Sequence, residues 1–213
     1  MKILRVLLTT FVFVSVQYAA SAQSSLGLRS EVGAFLFSNQ NYGTEFSQSA
    51  AVTRELDSAG DQEASLSFVN TTLDYSDPWL ALDGFPANSL KGHFQPVLAG
   101  YRYYFHPWEA RVRFFSGVDI GSVRFSGTVR SRGAIVEGHE TNRVESSFTR
   151  WRTSAGLSIG CEYSFTRHWG VQFSYRYLYV SELGDFAASA SVNSFRVGSL
   201  NAHALFLGLS NRF

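Results

Sequence analysis

Between Arg150 and Leu183 apolar and polar side chains alternate almost one for one. Trp151, Ala155, Leu157, Ile159, Cys161, Tyr163 and Phe165 share one face of an extended strand, because successive side chains of a strand point to opposite sides. Arg150, Arg152, Ser154, Gly156, Ser158, Gly160, Glu162 and Ser164 share the other. After Thr166-Arg167-His168, short enough for a tight turn, the pattern resumes. Trp169, Val171, Phe173, Tyr175, Tyr177 and Tyr179 now oppose Gly170, Gln172, Ser174, Arg176 and Glu182, and the two runs predict a β-hairpin. A second hairpin precedes it. Val97, Ala99, Tyr101, Tyr103 and Phe105 alternate with Leu98, Gly100, Arg102 and Tyr104, followed by a turn at His106-Pro107-Trp108. The return strand runs from Glu109 to about Phe125, with Val112, Phe114, Val118 and Ile120 opposite Arg111, Arg113, Gly117, Asp119 and Gly121. Its alternation blurs after Gly121, which suggests a bulge.

The same period marks both ends of the chain. Leu26, Leu28, Val32, Ala34 and Leu36 oppose Gly27, Arg29, Glu31 and Gly33, while Leu205, Leu207, Leu209 and Phe213 oppose Ala204, Gly208, Ser210 and Arg212. These first and last strands are placed to close a ring against each other. From 39 to 91 the pattern is weaker and gives two strands, Thr44 to Leu56 and Ala64 to Tyr75, around a turn at Asp57-Ser58-Ala59-Gly60. Parity supports the pair: with both termini and the short turns at one end, that interval needs an even number of crossings. Eight strands follow. The connections expected at the other end, 76–92, 127–147 and 184–198, are longer and polar or rich in Gly and Ser.

Residues 1–22 stand outside this pattern. Lys2 and Arg5 precede an apolar run from Val6 to Val16, too short to span a bilayer as a helix, and Ala20-Ser21-Ala22 offers small residues for cleavage. We therefore expect a removed signal peptide over 1–22 and one domain over 23–213. Without Lys2 and Arg5, 16 basic residues face 17 acidic ones, a net charge of −1 that gives no electrostatic reason to bind nucleic acid. Cys161 is the single cysteine, so no internal disulfide holds this exported chain together. A closed hydrogen-bonded barrel can do so instead.

Alternation alone fits a membrane barrel, a lipocalin-like soluble barrel or a sandwich. Composition separates them. A soluble barrel turns its polar face outward, rich in Lys and Glu, yet here Lys occurs only at Lys2 and Lys91, against 16 Arg, and the polar face is Gly, Ser and Arg. Such a face suits a narrow polar interior, with the apolar face turned to lipid. An Arg facing lipid near the midplane costs about 2–4 kcal/mol, so a one-residue slip would be penalised on several strands and the register is well specified. Tyr101, Tyr103, Phe105, Tyr163, Phe165, Trp169 and Phe213 gather at the turn end, as an interfacial aromatic girdle does.

Three stretches carry a resemblance. Gly100-Tyr101-Arg102-Tyr103-Tyr104-Phe105, then Gly160-Cys161-Glu162-Tyr163-Ser164-Phe165 running on to Tyr175-Arg176-Tyr177, and the ending Leu207-Gly208-Leu209-Ser210-Asn211-Arg212-Phe213 resemble the OmpA-like and OmpX-like small outer-membrane β-barrels. The likeness is good over 93–213 and poor over 23–92. It implies an all-β, eight-stranded antiparallel up-and-down transmembrane β-barrel in the outer membrane. It also implies that Leu205, Leu207, Leu209 and Phe213 form the assembly signal read by the barrel-insertion machinery, although Asn211 stands where an aromatic is commoner.

An interior of this size holds side chains rather than a wide channel. Arg29, Glu31, Arg102, Arg111, Arg113, Asp119, Glu162, Arg176 and Glu182 are thus expected to meet there as a mutually paired charge network, either a filler or the wall of a narrow pore. No cofactor or metal is expected. His93, His106, His139, His168 and His203 lack ligand spacing, and Glu137-Gly138-His139-Glu140 offers at most a weak surface site. No Gly-x-Ser-x-Gly elbow or phosphate loop occurs. His203 without a His-x-Ser partner is a poor basis for lipid A-modifying chemistry. Cys161 reads as a small lipid-facing residue. The remaining expectation is a non-enzymatic barrel in contact with outer-membrane lipid, serving envelope integrity or surface interaction through its loops. The loop candidates are Pro78 to Gly92, with Trp79, Leu80, Leu82 and Phe85, and Thr128 to Ser147.

Overall fold

The computed structural model describes residues 26–37, 44–56, 60–76, 88–105, 111–131, 135–136, 139–140, 144–186 and 195–213. Twelve strands lie among them: β1 (Leu26–Phe37), β2 (Thr44–Glu55), β3 (Gln62–Ser76), β4 (Asn88–Tyr104), β5 (Val112–Ser131), β6 (Ile135–Val136), β7 (His139–Glu140), β8 (Val144–Ser164), β9 (Trp169–Val180), β10 (Gly184–Phe186), β11 (Phe195–Val197) and β12 (Leu200–Arg212). Eight of these form one closed antiparallel barrel in the order β1-β12-β9-β8-β5-β4-β3-β2, while β6-β7 and β10-β11 are separate hairpins. Each barrel strand pairs with its neighbours in sequence, and β1 seals the ring against β12 from Gly27↔Arg212 to Phe37↔Ala202. No edge is left in the closed ring, which is how such a sheet satisfies its backbone in lipid.

Leu26 and Phe213 share one rim, where Phe213 N–H donates to the Leu26 carbonyl. We call this the turn end. There Thr166 Oγ1 accepts from the backbone N–H groups of His168 and Trp169, holding the short β8–β9 connection in the expected turn. The expected turn at His106-Pro107-Trp108 lies outside the described residues, as do Trp79, Leu80, Leu82 and Phe85.

At the opposite, loop end the barrel is uneven. β1, β2 and β9 have 12 residues each, whereas β4, β5 and β8 have 17, 20 and 21. The strands thus run well into segments expected to be loops, since β4 begins at Asn88, β5 continues to Ser131 and β8 starts at Val144. The suspected bulge after Gly121 is absent: β5 pairs continuously with β4 from Tyr104↔Phe115 to Asn88↔Ser131, and with β8 from Val112↔Tyr163 to Ser131↔Val144. What changes at Gly121 is which face is apolar.

Cross-strand rows on the outer surface make this visible. The rows Phe114–Cys161–Phe173, Tyr103–Ser116–Ile159–Tyr175, Tyr101–Val118–Leu157–Tyr177 and Ala99–Ile120–Ala155–Tyr179 are mainly apolar. Above them come Val97–Ser122–Thr153, Gln95–Arg124–Trp151, His93–Ser126–Thr149, Lys91–Thr128–Ser147 and Ser89–Arg130–Glu145. From Phe165 to Ala155 the apolar band spans roughly 34 Å of strand, or about 25 Å of height at the ~40° tilt usual for such barrels, the thickness of a lipid-facing belt. Inside, the order is reversed. Polar residues predominate in the turn half, around Tyr104 and Phe115, and apolar ones in the loop half, beside the buried Ser47 and Thr71. One interruption is local: the β3–β4 register passes from Phe68↔Val97 to Thr71↔Phe94 beside Pro96, which has no N–H to give. Gln95 Nε2 bridges the break by donating to Asn70 Oδ1 at 3.1 Å.

The band gives a direct expectation. Ile159→Arg, in the middle of the apolar rows, should destabilise the folded barrel by about 2–4 kcal/mol, while Thr149→Arg, three rows above the band edge, should be tolerated. Urea unfolding in lipid vesicles measures the difference, and equal costs at the two sites would misplace the band.

Candidate functional site

The interior of the turn half is built from inward positions of all eight barrel strands. Glu31 on β1 is its hub: its carboxylate lies 3.8 Å from Arg29 Nε, 4.0 Å from Arg102 Nη2 and 3.7 Å from Arg176 Nη2. Gln172 Nε2 donates to Glu31 Oε1 at 3.1 Å, and Gln172 Oε1 accepts from Arg29 Nη1 at 3.1 Å and Arg102 Nη1 at 2.9 Å. One neutral amide therefore bridges two cations and an anion. Arg29 Nη1 also reaches Glu63 at 3.1 Å, and Arg176 Nε meets Asp119 at 3.4 Å.

A second group sits nearer the turn end around Glu162, which takes Arg212 Nη2 at 2.5 Å and Arg113 Nη2 at 3.6 Å. Ser210 Oγ donates to the same carboxylate at 3.3 Å. Tyr104 Oη stands 3.3 Å from both Glu63 and Glu162 and so links the two groups. The guanidinium of Arg113 lies over the Tyr104 ring at 4.1 Å, and that of Arg102 over Phe115 at 4.4 Å. The Phe115 ring occupies the space above Gly160, where a Cβ would stand 2.5 Å from it. Arg29, Arg102, Arg113, Arg176 and Arg212 face Glu31, Glu55, Glu63, Asp119 and Glu162 in these pairs, so the charges balance. Balance matters here, because an unpaired buried charge costs several kcal/mol.

The expected network residues divide accordingly. Arg29, Glu31, Arg102, Arg113, Asp119, Glu162 and Arg176 lie buried in this compartment. Arg111 and Glu182 do not, and here the expectation is corrected. β5 begins at Val112, so Arg111 stands past the rim in solvent. β9 ends at Val180, and the chain then turns over the mouth, leaving Glu182 exposed and placing Leu183 in the interior instead. Glu55, Glu63, Tyr104, Gln172, Ser210 and Arg212 are members that the sequence-expected network does not include. Gln172 and Tyr104 do carry a signal: Tyr104 shares the inward parity of Arg102 two residues before it, and Gln172 that of Arg176 four residues after it.

The loop half of the interior corrects a larger expectation, that the whole lumen is polar. Phe35, Phe37, Leu73, Leu90, Phe94, Leu98, Phe125, Val129, Leu178 and Phe206 are all buried in one cluster. Phe94 stands at its centre, with ring centroids 5.6, 5.5 and 5.0 Å from Phe35, Phe37 and Phe125. The compartments touch where Arg176 lies 5.3 Å from the Phe206 ring. Over the mouth, Leu183 is fully buried and Gly184 takes a φ of 84°, which favours glycine. Arg150 Nη1 and Arg152 Nη2 each donate to the Leu183 carbonyl at 2.8 Å, and Arg152 Nε donates to that of Glu182 at 2.6 Å. Two arginines that the sequence pattern assigns to the lumen thus fasten the cover.

Outside, Leu205, Leu207, Leu209 and Phe213 line the exposed face of β12. Asn211 is buried between them, in register with Leu28 and Trp169. His203 Nδ1 is 2.6 Å from Tyr175 Oη, Tyr177 Oη donates to Asn201 Oδ1 at 2.8 Å, and His168 Nδ1 lies 2.9 Å from the Arg212 carbonyl. Cys161 is partly exposed in an apolar row. His139 and Glu140 form β7, whereas His106, Glu137 and Gly138 lie outside the described residues.

This architecture is shared. The chain is similar to the crystal structure of Neisserial surface protein A, at 13% identity and a TM-score of 0.53 over 90% of this chain and 100% of that one. It is similar also to a major outer membrane protein from Thermus thermophilus, at 15% identity and a TM-score of 0.53 over 89% and 100%. At such identities the likeness concerns the fold. No curated protein matches the chain in sequence. The model of the outer membrane protein beta-barrel domain matches residues 6–213, and the chain belongs to that family.

Proposed function

We propose that this chain is a closed, non-enzymatic outer-membrane barrel whose function lies on its outside, in envelope integrity or surface interaction at the loop end. One observation carries the reading: above a charge-balanced network, a packed plug of buried apolar side chains from β1, β3, β4, β5, β9 and β12, with Phe94 at its centre, occupies the lumen. Ions would have to leave water for that plug, so neither compartment offers a hydrated path. The charged interior residues pair with one another and the apolar ones pack together, which leaves the loops and the outer wall as surfaces for a partner. In this reading residues 1–22 are removed on export, and the outward face of β12 is presented to the insertion machinery during assembly.

The test is conductance. Purified full-length protein reconstituted in planar bilayers should show no discrete ion steps at moderate voltage, and Arg102→Ala should leave that unchanged. Regular steps in the unmodified protein, altered in size by Arg102→Ala or Glu162→Gln, would overturn the proposal and make the polar network a pore lining.

A further inference from the structure

The tall wall of β4, β5 and β8 presents an outward face that the closed barrel does not require. It rises above the apolar band on one side of the molecule only. On the opposite side β1 ends at Phe37 with Leu36 outward, and β2 starts at Thr44 with Phe46 outward, so no comparable polar face stands there among the described residues. From Arg124 to Arg130 the wall climbs roughly 20 Å of strand beyond the band edge. Its side chains are mainly hydroxyls and cations, above all Arg124, Ser126, Thr128 and Thr149, with Gln95, His93, Trp151 and Glu145 among them.

The charges on this face are not equivalent. Lys91 is held by Asp74 at 2.7 Å, and Arg130 by Glu145 at 3.0 Å, each across a strand pair. Arg124 is exposed, has Gln95 and Trp151 as its cross-strand neighbours, and forms no ion pair among the described residues. It stands two rows above Ile120, the last apolar residue of β5 facing outward, beside Trp151, whose exposed indole is amphipathic. That is the level at which lipid headgroups meet a belt of aromatic side chains.

We infer that this outward face binds the phosphorylated sugar headgroup of an anionic glycolipid in the leaflet at the loop end, with Arg124 taking the phosphate. A guanidinium fork matches two phosphate oxygens, and here it carries no competing carboxylate. Trp151 lies at the boundary between acyl chains and headgroup. The height of the wall decides between lipid classes: a phosphodiester headgroup reaches little past the Arg124 row, whereas a phosphorylated disaccharide extends up to Ser126, Thr149 and Thr128, whose hydroxyls can exchange hydrogen bonds with sugar hydroxyls. The inference rests on the loop end facing the outer leaflet. It is independent of whether the barrel conducts.

Native mass spectrometry of the full-length protein in zwitterionic micelles tests it, by titration with lipid A, with lipid A stripped of phosphate, and with phosphatidylglycerol. The protein should bind lipid A about tenfold or more tightly than the dephosphorylated form, the loss expected for one bidentate charged contact. Arg124→Gln should erase that preference, and Arg124→Lys should keep part of it. Arg54→Gln, which alters an exposed outward arginine near the turn end of β2, should change nothing. Undiminished lipid A binding by Arg124→Gln would overturn the inference, as would phosphatidylglycerol binding equal to lipid A. Both Arg124 variants should keep the heat-dependent gel mobility of a folded barrel, and the bilayer measurement above judges the closed-barrel reading separately.

Discussion

Glu31→Ala is expected to destabilise the folded barrel by about 3–5 kcal/mol, because it strands buried guanidinium groups. The side chain is 1% exposed and lies within 4.0 Å of three arginines, while Gln172 donates to it as well. Without it Arg29 keeps Glu63 and Arg176 keeps Asp119, but Arg102 has lost its carboxylate, and the compartment carries one uncompensated positive charge. Water cannot relieve this easily, since Arg102 is 2% exposed and the plug closes the loop side. Equilibrium urea unfolding in lipid vesicles, followed by tryptophan emission, measures the loss. The sharper comparison is the double variant Glu31→Ala with Arg102→Met, which removes the stranded charge together with its partner. It should be more stable than Glu31→Ala alone, as expected when two groups are energetically coupled. A double variant that is worse by the full sum of its parts would mean that packing, not charge, dominates the site.

Much of this barrel is legible in the sequence, and the reason is the strength of the membrane constraint. Where one strand face meets lipid and the other a polar lumen, the two-residue period is unambiguous, as in β9 and the turn half of β8. The eight-strand count also follows, since parity requires β2 and β3 even though their pattern is weak. The failures begin where the lipid ends. In β5, even positions up to Ile120 are apolar apart from Ser116, and odd positions become apolar from Val123 through Phe125 to Val129, with Gly127 between. The strand does not bulge there. It leaves the apolar band, so its outer face meets polar surroundings and its inner face takes over the burial. A phase inversion of hydrophobicity at constant register looks in a sequence like a lost residue, and that ambiguity makes 76–92 and 127–147 read as loops.

The same boundary explains the missed parts of the interior. Arg150 and Arg152 have the parity of lumen residues, but at their height the inner face belongs to the plug, and they bend to the carbonyls of Glu182 and Leu183. Glu182 has inward parity in sequence, yet the strand has ended two residues before it. Glu63 sits in the weakly patterned region, and its role becomes visible only when β3 is placed beside β4 with Glu63 opposite Arg102.

Phe94→Ala is the counterpart of the Glu31 variant in the other compartment, with a similar expected loss of about 3–5 kcal/mol for removing a buried Phe ring. Phe94 is fully buried and touches Phe35, Phe37 and Phe125 edge-on, so none of its neighbours can follow the vanished ring without abandoning another contact. The strand ladder that carries Phe94 is continuous with β5, which keeps the wall in place and leaves a cavity rather than a collapse. The cavity is lined by apolar side chains, and such cavities stay dry. Conductance should therefore remain absent in Phe94→Ala even as the urea midpoint falls. Because Glu31 pairs with Arg29, Arg102, Arg176 and Gln172 whereas Phe94 packs on Phe35, Phe37 and Phe125, the two share no partner in these contacts, and the losses in Phe94→Ala and Glu31→Ala should add to within about 0.5 kcal/mol in the combined variant. A combined loss far from that sum would show one cooperative interior. Additive losses would mean that the turn half is stabilised as a membrane barrel and the loop half as a soluble apolar core, on the same eight strands.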